Sequence, residues 1–198
     1  MYIFFGLMMA AAAGERPVVE VFLPPFMDQK LNKAMGRAQG IVLDAYAEIG
    51  IRVVWHSASS LPSDCVQTPM HRQIVFDLST GAAGRSQGAL AFANPYSKKG
   101  ACVTLLIDRL KDSAERNPDT TGIVMGHVLA HEIGHVLQGI ARHSETGLMK
   151  ERWSVKEIQE MWRARLRFTA YDAELIMESL RRPLADSVHT VQVSRIEP

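Results

Sequence analysis

The chain has 198 residues, the length of one domain with short extensions. Hydrophobic residues make up 47% and charged residues 22%, which excludes a disordered, collagen-like or coiled-coil chain and leaves a core large enough to stand without disulfide or metal. Lys and Arg number 22 against 21 Asp and Glu, a net charge of +1, so nucleic acid and anionic membrane surfaces lose their electrostatic case as main partners.

Residues 1–13 are apolar or small, with Ala11-Ala12-Ala13 ahead of Gly14. The run is too short to span a bilayer, which takes about 20 residues. Its length suits the apolar core of a signal peptide, although no Lys or Arg precedes it. It reads as a cleaved export signal, with an N-terminal helix or buried strand as the alternative. Export would make the protein secreted or periplasmic; otherwise it is cytoplasmic. Cys65 and Cys102 are the two cysteines. They form either one disulfide or, at Cys102, a thiol buried by a strand, and neither has C-x-x-C spacing.

Along the chain, Val18–Leu23 is β-branched and aromatic and stops at Pro24-Pro25, as a strand does. Leu31, Met35, Ala38, Val42, Ala45, Tyr46 and Ile49 keep helical spacing from Asp28 to Ile49, and Gly50 suits the helix end. Further strands are expected at 51–55, 73–78 and 101–107. A Gly-rich loop is expected over Thr80–Gly88, followed by a short edge strand at Ala89–Ala93 that Asn94-Pro95 ends. Asn117-Pro118 starts a helix whose periodic run is Ile123–Leu137, with Gly139 as its stop. Ser154-Val155-Lys156-Glu157 and Thr169-Ala170-Tyr171-Asp172 have the capping-box form, opening helices to about Leu166 and Arg181. One domain over 18–185 and a tail over 186–198 follow from this order.

His131-Glu132-Ile133-Gly134-His135 is an H-E-x-x-H motif inside the second of these helices. Four residues advance about 6 Å and about 400° along a helix, so both imidazoles leave one face a turn apart. Each can then reach the same zinc at about 2.0–2.1 Å. Glu132 lies about 100° round from His131, free to act on a water instead of the metal. The surrounding helix is apolar, and burying two His and a Glu there is costly unless something pairs them. Zn2+ supplies the pairing. His127 is too far from His135 along the helix to share the ion and reads as a core histidine. The third ligand is expected to be His143, because Gly139 can turn the chain back under the metal. The rival is a Glu from the next helix, Glu157 or Glu160, as in a gluzincin-type site.

His-Glu-x-x-His followed by a Gly, a third His and a Met in a short turn resembles the metzincin clan of zinc peptidases. The likeness also extends to short bacterial proteins with a His-Ser-x-x-Gly-x-Met segment, here His143-Ser144-Glu145-Thr146-Gly147-Leu148-Met149. It implies His131, His135 and His143 as ligands, Glu132 as general base and Met149 as the Met-turn residue. The implied fold is α+β: a mixed twisted sheet of about five strands, a long backing helix, an active-site helix, the Met-turn and C-terminal helices. In the common pattern the Gly and third His stand three and six residues after the second His. Here Gly139 and His143 stand four and eight after His135, so the turn holds two extra residues. The function expected is peptide-bond hydrolysis, most simply by a metalloendopeptidase, with Glu132 as base toward a zinc-activated water and a peptide or protein as substrate lying along the edge strand. The alternative is a non-catalytic zinc-binding or interaction module.

Overall fold

The structure is a computed structural model that describes residues 16–57, 67–80, 90–94 and 102–182. The expected export signal, the tail, Cys65 and nearly all of the Gly-rich loop lie outside these residues. Among the described residues, no helix is long and apolar enough to cross a membrane.

Strand β1 (Val18–Leu23) alternates: Val19, Val21 and Leu23 are buried, while Val18, Glu20 and Phe22 lie on the other, half-covered face. Asp28 then caps α1 (Gln29–Glu48) by accepting from the Leu31 N–H at 2.7 Å. The buried stripe Leu31, Ala34, Met35, Ala38, Val42, Ala45 and Tyr46 carries the spacing of one helix face. Strands β2 (Arg52–Ser57), β3 (Gln67–Thr68), β4 (His71–Ser79), β5 (Ala91–Asn94) and β6 (Cys102–Leu106) complete one sheet. Its order is β2-β1-β4-β6-β5, with β3 pairing β4. β2, β1, β4 and β6 run parallel, and β5 is antiparallel to β6 at the edge. Cys102 stands in register with Val75 and Asn94.

Two differences from the sequence reading have identifiable causes. Helix α2 (Ile107–Arg116) follows β6 directly and is not among the expected elements. Its apolar face is only Ile107, Leu110 and Ala114, set among charged residues, too short a stripe to register as periodic. Helix α4 (Val155–Glu160) stops well before Leu166. Beyond it Arg165 pairs with Asp44 and Glu48 of α1, and the Leu166 N–H donates to His127. Those tertiary contacts draw the chain off the helical path.

Helix α3 (Pro118–Gln138) opens on an Asn117 cap with Pro118 in its first turn. It is buried around most of its circumference, sharing a core with α1 and with Ile74, Phe76, Val103 and Leu105 of the sheet. The two helices approach closely. A Cβ on Gly126 would stand 2.7 Å from Ile41 Cβ, and the Tyr46 hydroxyl donates to the Ala130 carbonyl at 2.9 Å. Helix α5 (Ala170–Arg181) closes the described chain, starting from the second capping box.

Candidate metal centre

The C-terminal half of α3 brings His131 and His135 out on one face, both buried. Gly139 then takes the left-handed conformation (φ 67°) and its N–H caps the helix at the His135 carbonyl, a geometry that glycine adopts without a Cβ penalty. The chain doubles back and delivers His143, which is exposed. His131 Nε2 lies 2.9 Å and His143 Nε2 3.2 Å from His135 Nε2. One ring nitrogen from each of the three histidines lies within 4.8 Å of the other two.

The opposite ring nitrogens decide what this cluster needs. His131 Nδ1 faces the Leu148 carbonyl at 2.9 Å and His135 Nδ1 the Ile140 carbonyl at 3.2 Å. A carbonyl only accepts, so both Nδ1 atoms carry the proton and both Nε2 atoms present lone pairs. Burial, with the neighbouring imidazoles, holds His131 down to about 4 and lowers His135, so these rings are neutral at neutral pH. Lone pairs facing one another at such distances repel unless a cation stands between them. Tetrahedral zinc with bonds of about 2.0–2.1 Å separates its nitrogen ligands by about 3.3–3.4 Å, against 2.9 and 3.2 Å for the two pairs that include His135. The donor set fits zinc.

Beside His131 runs the turn Gly147-Leu148-Met149. Its carbonyl at Leu148 is the one that orients His131, and its Leu148 N–H donates to the Arg167 carbonyl at 2.8 Å. Met149 is fully buried against the helix: a Cβ on Gly134 would stand 2.6 Å from its Sδ. Gly147 is left-handed (φ 76°), and a Cβ there would come within 2.5 Å of the Arg167 carbonyl oxygen. Gly147→Ala therefore combines backbone strain with a clash against main chain, and is expected to cost about 2–4 kcal/mol. A fall in the urea midpoint with unchanged slope would show it; an unchanged midpoint would mean the turn is looser than described.

Glu132 is not one of the clustered metal-binding side chains and meets the sheet edge. Its Oε2 accepts from the Ala93 N–H of β5 at 2.6 Å. Burial pushes its carboxyl up to about 7, with the Ala93 N–H working in the other direction. Glu157 and Glu160 are elsewhere. Both Glu157 oxygens accept from Lys150 Nζ at 2.8 Å while the side chain caps α4, and Glu160 lies 3.8 Å from Lys156 at the surface.

His127 is wholly buried and uses both nitrogens within the protein: Nδ1 donates to the Ile123 carbonyl at 2.8 Å, and Nε2 accepts from the Leu166 N–H at 3.1 Å. It has no lone pair left for a metal. Burial lowers its pKa, so folding disfavours its charged form. The unfolded chain titrates near 6.5, and it binds protons there while the folded chain does not. Stability is therefore full above that pH and falls as pH drops below it, by up to about 1.4 kcal/mol per pH unit for one proton. Chelator-treated protein is expected to lose urea resistance between pH 7.5 and 5.5 more steeply than its His127→Gln variant. Equal slopes would mean His127 titrates normally.

Trp153 is a member of the site that sequence reasoning missed. It sets its indole edge-on to both His127 and His131, with centroids 6.3 and 5.9 Å apart, and donates to the Gly147 carbonyl at 3.3 Å. No local pattern distinguishes it from any other tryptophan. Asp172 is another, visible in sequence only as a helix cap.

No protein-family model and no curated protein matches the chain. Among solved structures, the chain is similar to the crystal structure of archaemetzincin from Methanopyrus kandleri. The likeness covers 87% of this chain and 99% of that one, at 18% identity and a TM-score of 0.51. The fold is metzincin-like. It is the mixed-sheet α+β arrangement that the H-E-x-x-H, Gly, His and Met pattern implied, in which the sheet edge and α3 meet at the candidate site.

Proposed function

We propose that the protein is a zinc-dependent endopeptidase in which His131, His135 and His143 hold the metal and Glu132 is the general base. The observation that carries this reading is the set of facing Nε2 lone pairs with a carboxylate left outside it. Zinc, when bound, supplies the Lewis acid that such hydrolysis uses. Glu132 takes the proton from the attacking water and returns it to the leaving amine, a task suited to a carboxyl raised toward neutral pH. An extended peptide would lie along β5, the edge strand among the described residues, pairing by main-chain hydrogen bonds. If residues 1–13 direct export, the substrates are proteins or peptides outside the cytoplasm.

The test is metal analysis joined to peptide-library cleavage. About one zinc per chain is expected, with cleavage abolished by a chelator and restored by added zinc. Stoichiometric zinc without cleavage of any library member would favour a binding module instead. A protein that takes up no zinc would remove the reading altogether.

A further inference from the structure

His131 and His135 are held by a helix, but His143 sits on an exposed, non-helical stretch. What aims it is found in its two neighbours. The Arg142 guanidinium donates from Nη1 at 2.9 Å and the Ser144 hydroxyl at 2.6 Å, both to the same atom, Oδ1 of Asp172 in α5. Anchoring residues 142 and 144 to one point holds the main chain on both sides of residue 143. The Ser144 N–H also donates to the Met149 carbonyl at 2.8 Å, tying the same stretch to the turn whose Leu148 carbonyl meets His131. Arg142 is steadied further by lying over the Tyr171 ring, 4.7 Å from its centroid.

Capping α5 does not require this arrangement. Asp172 meets the cap with its other oxygen alone: Oδ2 accepts from the Thr169 N–H at 3.1 Å and the Thr169 hydroxyl at 2.7 Å. The chain also contains a second capping box for comparison. Glu157, in the equivalent place on α4, is partly exposed and spends its spare capacity on a surface lysine. Asp172 is instead fully buried. A buried carboxylate is costly unless donors surround it. Burial raises its pKa, but bonds from Ser144, Thr169 and Arg142 outweigh that and hold it below the ordinary range. Two of those donors come from the residues flanking His143.

We propose that Asp172 is a positioning residue: its Oδ1 fixes the backbone on both sides of His143 so that the imidazole meets those of His131 and His135. The inference rests on His143 being a metal ligand, and the experiment separates the two. Zinc dissociation constants are measured by competition with a chromophoric chelator, below each variant's melting temperature, for the parent, His143→Ala, Asp172→Asn, the double variant Arg142→Gln/Ser144→Ala, and Thr169→Ala. Asp172→Asn and the double variant are expected to bind zinc about 10–100-fold more weakly and to change the visible spectrum of the cobalt-substituted protein. Thr169→Ala, which removes the cap and its bond to Oδ2 but leaves both bonds at Oδ1, should melt earlier with parental zinc affinity and cobalt spectrum. Parental affinity in both network variants, with His143→Ala weakened, would reduce Asp172 to a cap and overturn the proposal. Parental affinity in His143→Ala would instead overturn the ligand assignment. In that case amide exchange of the metal-free protein still decides the positioning role: faster exchange at Ser144 in the double variant supports it, and unchanged exchange rejects it.

Discussion

Glu132→Gln is expected to keep the fold and the zinc while lowering peptide hydrolysis by about 10²–10⁴-fold, the range for a lost general base. The amide has the volume of the carboxylate, and its oxygen can still accept the Ala93 N–H that Glu132 Oε2 accepts at 2.6 Å. Packing against β5 therefore survives. What is lost is the ability to take a proton. The three histidine nitrogens are untouched, because Glu132 leaves the helix on a different bearing and bonds to the sheet edge. Zinc content and melting temperature should match the parent, and turnover of any peptide that the parent cleaves should collapse. Parental turnover would assign the base elsewhere. Lost zinc would mean that Glu132 belongs to the coordination shell.

That prediction rests on residues legible from sequence, and the reason is locality. The H-E-x-x-H spacing, the Asn117-Pro118 start and the Gly139 stop all lie within one helix, where 3.6-residue geometry converts spacing directly into direction. The two capping boxes were equally legible, since the partners are three residues apart. The turn that leads toward His143 begins at a left-handed glycine, which sequence can suggest. Less was readable where partners are distant in the chain. Nothing near Asp172 announces that its second oxygen will meet Arg142 and Ser144, about thirty residues earlier. The early end of α4 depends on α1 and on His127, and the Ala93 N–H reaches Glu132 only because β5 folds to the edge beside α3. Helix α2 was hidden for another reason, its apolar face being three residues long. Local periodicity located the paired histidines on α3; long-range hydrogen bonds, invisible in the pattern, built the frame around them.

His143→Ala is expected to weaken zinc at least about 100-fold, beyond the loss usual for a partner outside the ligand set. Two histidines a turn apart would remain, and open zinc sites commonly draw on three protein ligands. Removal of the ring should leave the fold, because His143 is exposed. The contrasting variant is Glu157→Ala. Glu157 is committed to Lys150 and to the Ser154 cap, so its loss should loosen the start of α4 and lower the melting temperature with zinc affinity unchanged. The pair discriminates between a histidine and a glutamate as third ligand, which spacing alone leaves open because Gly139 and His143 stand further from His135 than the common pattern has them. Zinc retained by His143→Ala and lost by Glu157→Ala would require α4 to leave its place and pack over the metal. The Lys150 pairing and the intact capping box both oppose that movement, so His143→Ala is the variant of the two that is expected to lose the metal.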